Sequence, residues 1–415
     1  MQSLNTNRRL VVFDVEGVLI PKNRFLFDVA RSLGASRLLK LIFIGFLYEI
    51  GVLSLKSTLK RIFHVIQGIE VEKLKQIFDE IPLKPHVEHV FAQLKARNCK
   101  IALISSGLPS FIVKELASKL GADYGFGIEI DVNEGKLTGE IWGNVIETDG
   151  KLKALSQILI AEELSPKDCV VVADDRNNLS LFLSETLKIG YHPDFVLRLE
   201  ADSVVTGSLS GILPIIDGAP RQRILPSKND VLREIIHACG FFVPILAGLI
   251  GIFPVALLIC AVSMLYLISE LSRMNRKNLP IIGIITRNAV TQAELHEFAA
   301  APLYFAVGIL LTLLLFPLQV SSAAIAMFAL GDSTASLFGS LLFKTALPFN
   351  KGKSLEGSLF GFFFAFLAGA VFVSPALALG GAIVTMAVES LPLPVNDNIL
   401  IPLCTSLALM LMALI

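Results

Sequence analysis

Three short apolar runs in the first half of the chain each lead into residues able to do chemistry. LVVF leads to Asp14 and Glu16, KIALI to Ser105 and Ser106, and CVVVA to Asp174 and Asp175. Lys151 opens a helix-like stretch, KLKALSQIL, between the second and third runs. Two carboxylates one residue apart at a strand end pair an attacking group with a proton donor. Acids at another strand end hold Mg²⁺, while a lysine and a hydroxyl neutralise phosphoryl oxygens. Each residue alone has an ordinary use, since a serine at a strand end often serves a turn. Together, and in this order, they point to phosphoryl transfer through an aspartate.

The second half carries another set. Asp332 sits in AMFALGDSTASLFGSLLF, an otherwise apolar stretch with small residues around the acid. NKGKSLEGSLFGF brings Lys351, Lys353, Ser354 and Glu356 to the start of the next apolar run. VESLPLPVNDNILIPL adds Glu389, Asn396, Asp397 and Asn398. Ionisable groups in or beside a membrane span are costly and so count as functional candidates. Lysines and donors at a helix start suit phosphate, and small residues permit close approach of a helix or ligand. Such an inventory suits a nucleotide-using enzyme acting on a membrane alcohol. A transporter pathway, or acids paired structurally within a bundle, would draw on the same residue types. Neither a Walker lysine motif nor a kinase-type glycine-rich loop is present.

The elements that must position these residues differ between the halves. Of the 415 residues, 53% are hydrophobic and only 17% charged, against about 25% charged in soluble domains. Mean hydropathy is +0.68. The excess is concentrated after Ile236, where seven apolar runs follow at about 236–253, 255–272, 298–316, 320–343, 356–373, 375–391 and 398–415. Before them, strand-like runs alternate with helix patterns, as in βαβ units around a parallel sheet, whose catalytic groups gather at the carboxyl edge. DGAPRQRILPSKND (218–231) reads as a linker between the two.

Loop charges orient the spans. The basic residues Arg273, Arg276, Lys277, Arg287, Lys344, Lys351 and Lys353 fall on one side, which the positive-inside rule makes cytoplasmic. The N-terminal domain enters from that same side. The 36 basic and 36 acidic residues cancel, so no field favours nucleic acid. The five cysteines lack metal-site spacing, and the N-terminal stretch does not read as a signal peptide. RLLKLIFIGFLYEIGVLSL (37–55) is very apolar, suiting either a buried bundle helix or contact with a lipid surface.

The first half resembles the haloacid-dehalogenase superfamily, in particular its phosphoserine-phosphatase-like branch, through FDVEGVL, ALISSG, GKLKAL and VVVADDRNNLSLF. GKLTGEIWGNVIETDGK (135–151) is similar to that branch's hairpin before the third-motif lysine. The resemblance covers about 9–217, with a helical cap at about 22–85. It implies Asp14 as nucleophile and Glu16 as general acid and base. It also implies phosphate binding by Ser105, Gly107 and Lys151, and Mg²⁺ held by Asp14, the Val15 carbonyl, Asp174 and Asp175. Three positions depart from the branch. Glu16 replaces the usual Asp, Asn178 the usual second acid of the fourth motif, and Asn23 stands near a Glu that receives the ammonium of phosphoserine.

The second half, about 232–415, resembles the CTP-dependent lipid kinases: dolichol, phytol and farnesol kinases and the CTP-dependent diacylglycerol kinases. GDSTASLFG (331–339), KGKSLEGS (351–358) and NDN (396–398) carry the likeness, with Arg233, His237 and Glu270 to Arg273 as weaker positions. The resemblance implies Mg²⁺-assisted transfer of the CTP γ-phosphate to a lipid hydroxyl. Asp332 would serve the metal or the hydroxyl, and Lys351, Lys353 and Ser354 the phosphates. Glu356, Asn396, Asp397 and Asn398 would serve the metal or nucleotide.

The expected architecture is therefore an α/β doubly wound parallel sheet with a helical cap (1–217), a linker (218–231) and an all-α polytopic membrane domain of about seven spans (232–415). The expected protein is an integral membrane enzyme of lipid phosphate metabolism with its N-terminal domain in the cytoplasm. Its partners would be a membrane lipid alcohol, a nucleotide, and a small phosphomonoester or lipid phosphate. Two other readings use the same residues. The soluble domain would be a degenerate phosphate-sensing regulator of the kinase, or a phosphatase anchored by a transporter-like or scaffolding bundle.

Overall fold

The computed structural model describes residues 10–22, 24–49, 52–147, 149–218, 226, 228–274, 299–342, 345–393 and 395–414. The chain forms two compact units, Met1–Arg221 and Gln222–Ile415. Asn23, Arg276, Lys277, Arg287 and Lys344, which entered the reading of substrate and orientation, lie outside the described residues.

The first unit is built on seven strands: β1 (Leu10–Asp14), β2 (Lys100–Pro109), β3 (Tyr124–Asn133), β4 (Lys136–Trp142), β5 (Cys169–Ala173), β6 (Leu187–Tyr191) and β7 (Ser203–Val205). Their order is β4-β3-β2-β1-β5-β6-β7. All neighbours are parallel except β3 and β4. β1 and β5 are buried along their whole length, which is why both read as unbroken apolar runs rather than alternating ones. Each large aliphatic or aromatic side chain so enclosed contributes about 1.5–3 kcal/mol. Phe13 stacks on Phe91 with ring centroids 5.0 Å apart.

β1 pairs with β2 on one side and β5 on the other. The chain leaves β1 in one direction and returns to its far side, so the switch point of the sheet lies here. The registers Asp14↔Ile104 and Phe13↔Val172 bring Asp14, Ser105 and Asp174 to one edge. Between β1 and β2 come four cap helices, α1 (Arg24–Ser32), α2 (Ala35–Glu49), α3 (Leu55–Val65) and α4 (Val71–Asp79), then α5 (Val87–Ala96). α6 (Ser110–Leu120) and α7 (Gly150–Ala161) follow later. The β3–β4 hairpin turns through Glu134 and Gly135, both with positive φ (49° and 75°), as a two-residue turn between twisted strands requires. Gly68 and Val71 of the cap donate backbone hydrogen bonds to Leu137 and Gly135, tying cap to hairpin.

In the second unit, helices occupy all seven segments that the apolar runs predicted. Lys228–Ile250, Ile252–Glu270 and Leu318–Leu342 are long and apolar enough to cross a membrane. Ala301–Leu315, Leu355–Gly369, Pro375–Ser390 and Asp397–Met412 are shorter apolar helices, below the roughly 17–25 residues usual for a span. Gly251, with φ +93°, separates the first two segments. The Leu318–Leu342 and Leu355–Gly369 helices meet along a seam of small residues. A Cβ added at Gly361 would lie 2.8 Å from the Gly331 carbonyl, and one at Gly357 2.6 Å from the Ala335 carbonyl. Side chains at these glycines would force the backbones apart.

Candidate active site

Asp14 ends β1, where the chain runs out of sheet pairing and turns upward. The Asp14 carboxylate is only 6% exposed. Its Oδ1 accepts from the Val15 N–H at 2.9 Å and from Lys151 Nζ at 3.3 Å. Its Oδ2 accepts from Asn178 Nδ2 at 2.5 Å. Lys151 also donates to Asn178 Oδ1 at 2.6 Å, so the amide bridges acid and lysine. Lys151 sits in the first turn of α7, whose Gly150 is pressed onto the preceding 3₁₀ turn. A Cβ there would lie 1.4 Å from the Asn144 carbonyl oxygen. Glycine at 150 is therefore what lets α7 begin where its lysine reaches the site.

Ser105 Oγ accepts from the backbone N–H groups of Gly107 and Leu108, each at 3.1 Å. That leaves its O–H to donate outward. Gly107 provides room rather than a side chain, since a Cβ there would fall 1.7 Å from Glu16 Oε2. Glu16 Oε1 is buried without a hydrogen-bond partner. Burial, then the charges of Asp14 and Asp174, push the Glu16 carboxyl up to about 8. It thus holds a proton at neutral pH, as a leaving-group acid must.

Asp14, Asp174 and Asp175 place one carboxylate oxygen each within 4.8 Å of one another. Asp174 Oδ1 is buried and unpartnered. Lys22 Nζ reaches Asp174 at 2.8 Å and Asp175 at 2.9 Å. Burial works against the Lys22 charge, but these two acids raise it above the ordinary lysine value. Burial raises Asp174 to about 7 despite Lys22, with Asp175 and Asp14 adding to the rise. For Asp175, burial is outweighed by Lys22 and Lys151, and its carboxyl is lowered. Negative charge here thus exceeds what the lysines balance. An all-oxygen donor set with an orphaned carboxylate oxygen fits a hard divalent cation such as Mg²⁺.

Lys22 and Asn178 are among the site residues that sequence reasoning left out. Lys22 lies outside any motif and reaches the acids only through the fold. Asn178 appeared only as a departure from an expected acid, whereas here it is fully buried and contacts the proposed nucleophile.

Above the acids and Ser105 a cavity of about 330 Å³ opens toward the cap. Tyr48 of α2 closes one side, its hydroxyl donating to Asn177 Oδ1 at 2.7 Å.

In the second unit, several predicted residues converge and others serve the scaffold. Lys353 pairs with Glu389 and lies 4.0 Å from Asp397. Burial alone would lower Lys353, but Glu389, Asp332 and Asp397 raise it. Asp332 Oδ2 lies 3.9 Å from His237 Nδ1. Glu234, absent from the sequence reading, accepts from Ser336 Oγ at 2.8 Å. Ser354 caps the Leu355–Gly369 helix by accepting from the Gly357 N–H at 3.1 Å. Asn396 likewise caps the Asp397–Met412 helix by accepting from Asn398 N–H. Glu356 accepts from the Thr345 N–H at 3.3 Å, and Lys351 is half-buried on the ribbon strand Asn350–Ser354.

Residues 11–182 match the family of haloacid dehalogenase-like hydrolases. The chain is 29% identical over 216 residues to a phosphoserine phosphatase of Archaeoglobus fulgidus, covering 52% of this chain and 61% of that protein. It is 28% identical over 199 residues to the phosphoserine phosphatase of Methanocaldococcus jannaschii, covering 48% and 92% respectively. This chain thus spans less than two thirds of the Archaeoglobus relative. A solved phospho-aspartyl intermediate analogue of phosphoserine phosphatase aligns at 27% identity with a TM-score of 0.46, over 50% of this chain and 98% of its own. The N-terminal unit is a haloacid dehalogenase-like hydrolase domain of phosphoserine-phosphatase-like sequence.

Proposed function

We propose that the N-terminal unit hydrolyses a phosphomonoester through an aspartyl-phosphate. The observation that carries this is the Asp14 carboxylate, buried and oriented by Val15, Lys151 and Asn178. An Asp14 oxygen attacks phosphorus, the ester P–O bond breaks, and the proton of Glu16 goes to the leaving oxygen. Water then attacks the phospho-aspartate, Glu16 takes its proton, and inorganic phosphate departs. Lys151 and the Ser105 hydroxyl balance charge on the transferring oxygens. Asp14, Asp174 and Asp175 would hold Mg²⁺, which supplies further charge neutralisation when bound. The Val15 carbonyl, expected among the ligands, instead accepts from the Leu19 and Ile20 N–H groups at 2.9 and 3.1 Å. Purified protein with Mg²⁺ and p-nitrophenyl phosphate tests this: the wild type releases phosphate and Asp14→Asn does not. Turnover surviving Asp14→Asn refutes the nucleophile.

For the second unit the reading is CTP-dependent phosphorylation of a membrane lipid alcohol by an integral membrane domain, with the N-terminal unit cytoplasmic. The convergence of Lys353, Asp397, Glu389 and Asp332 supports it, since it joins cation and acids from separate motifs. The test is CTP, Mg²⁺ and a panel of polyprenol, phytol and diacylglycerol substrates. Phosphorylated lipid lost in Asp332→Asn but retained in Asp14→Asn is the expected result. Absence of product from the wild type, beside a working control kinase, would leave the bundle as an anchor or regulator's partner.

A further inference from the structure

The cavity above the proposed nucleophile carries its charged groups at one end only. Asp14, Glu16, Asp175, Ser105 and Lys151 line its floor. The cap supplies a mostly apolar wall, Leu26, Leu38, Leu41, Leu55, Leu59 and Ile62 from α1, α2 and α3. Its two hydroxyls, Tyr48 and Thr58, are spent on Asn177 and the Ser54 carbonyl. Among the described lining residues, no carboxylate or cation lies beyond the floor and its neighbour Lys22. An ammonium and a carboxylate carried next to a phosphoester would be desolvated against leucines, which is unfavourable without charged partners. At about 330 Å³ the space is of the size that encloses a small ligand.

From this lining we infer that the alcohol released by the N-terminal unit is aliphatic, so its substrate is an alkyl-type phosphomonoester rather than a phosphorylated amino acid. This rests on the phosphatase reading of Asp14. The alkoxide leaving phosphorus takes the Glu16 proton and departs as an uncharged alcohol along the leucine wall. Each methylene buried there is worth about 0.8 kcal/mol, roughly a fourfold gain. Gly45 offers a steric handle. It lines the cavity, and a Cβ built on it meets nothing within 4 Å. Leucine at this helical position therefore projects into open space, and helix propensity favours it over glycine.

The test uses the full chain in phosphatidylcholine nanodiscs, which avoids a detergent filling the cavity. Ethyl, butyl and octyl phosphate in solution, phosphoserine, and a hexadecyl phosphate held in the bilayer are compared for kcat/KM. Octyl should exceed ethyl phosphate by at least tenfold and exceed phosphoserine. Preference for the bilayer-held ester over octyl marks a lipid source, the reverse a soluble one, and either agrees with an aliphatic alcohol. Gly45→Leu should lower the octyl-to-ethyl ratio at least tenfold. Calorimetric binding to Asp14→Asn keeps the test independent of turnover, with octyl phosphate binding at least tenfold more tightly than ethyl. A phosphoserine preference, or no dependence on chain length in either turnover or binding, overturns the inference while leaving the phosphatase reading intact. Chain-length-dependent binding without turnover of any ester would instead overturn the phosphatase reading alone.

Discussion

Asn178 gives the sharpest check on how the N-terminal site is held. Its amide donates to Asp14 Oδ2 at 2.5 Å and accepts from Lys151 Nζ at 2.6 Å. Asn178→Ala removes both contacts, leaving Asp14 to Val15 and Lys151 alone. A hydrogen bond to a charged group is worth about 1.5–3 kcal/mol. If that orientation energy serves the attack, kcat/KM falls roughly 10- to 150-fold. Asn178→Asp separates positioning from charge. Its new carboxylate would face Lys151 but also two acids, Asp14 and Asp175, whose oxygens lie 2.5 and 3.1 Å from the present amide nitrogen. Each unit-charge pair near 3 Å is worth about 5 kcal/mol at an effective dielectric of 20. Repulsion thus outweighs attraction by one such pair, and the donated hydrogen bond is lost as well. Asn178→Asp should therefore slow phosphate release from p-nitrophenyl phosphate more than Asn178→Ala does. Fluorescence of Trp142, the single tryptophan, lies in β4 and reports whether this unit stays folded. Turnover of Asn178→Ala within threefold of wild type, with an unchanged unfolding midpoint, would refute the positioning role.

Three further outcomes follow from the same geometry. Glu16, raised by burial and its acidic neighbours from 4.5 to about 8, keeps a proton in the fold that the unfolded chain gives up. The fold binds more protons between about pH 4.5 and 8, so its stability falls as pH rises through that window. Mg²⁺ offsets the charge exposed, so at a hundredfold excess over Kd its gain of about 2.7 kcal/mol should be reached at lower Mg²⁺ at pH 8 than at pH 6. Equal Mg²⁺ requirements in Trp142-detected unfolding would contradict this. Gly17→Ala places a methyl 2.1 Å from Asp174 Oδ2 at φ +83°, which costs about 1–2 kcal/mol of backbone strain. It should raise the Mg²⁺ concentration for half-maximal phosphatase activity at least tenfold. Lys353→Met strips the cation from Glu389, which is 2% exposed. It should cost about 3–5 kcal/mol, read as a lower melting midpoint by differential scanning calorimetry and recovered in part by Lys353→Met with Glu389→Gln.

What could be read from residues alone was set by whether one strand or one motif sufficed. β1 and β5 are enclosed on both faces, so their apolar runs announced themselves and their ends marked Asp14 and Asp174. Lys151 was legible because a helix pattern begins at it. β3 was not marked in advance: its start, Tyr124 to Ile128, alternates with glycine, and a Cβ at Gly127 would lie 2.6 Å from the Leu108 carbonyl. Those glycines allow close strand approach but erase the strand signal. Lys22 was invisible for another reason. Its ion pairs span 152 and 153 residues of sequence, and nothing in the residues beside it names an acid so far away.

The apolar cap segment shows where periodicity stops deciding. Leu38, Leu41, Gly45 and Tyr48 follow steps of three, four and three, and all line the cavity. Leu39 and Phe43, four apart on another face of α2, are 67% and 61% exposed. A helix apolar on one stripe is buried there; one apolar on two stripes must satisfy two environments. The inner stripe answers the bundle reading of α2, and contact of the exposed outer stripe with an apolar medium is a separate prediction. Its inner stripe forms the wall of the cavity, and charge placed at Leu41 should damage substrate binding. Charge at Leu39 should leave p-nitrophenyl phosphate turnover intact and weaken any hold the cap has on a bilayer, measured as loss of hydrolysis of a membrane-borne ester alone. Equal damage to soluble and bilayer-held substrates by Leu39→Glu would show that the outer stripe has no such separate task.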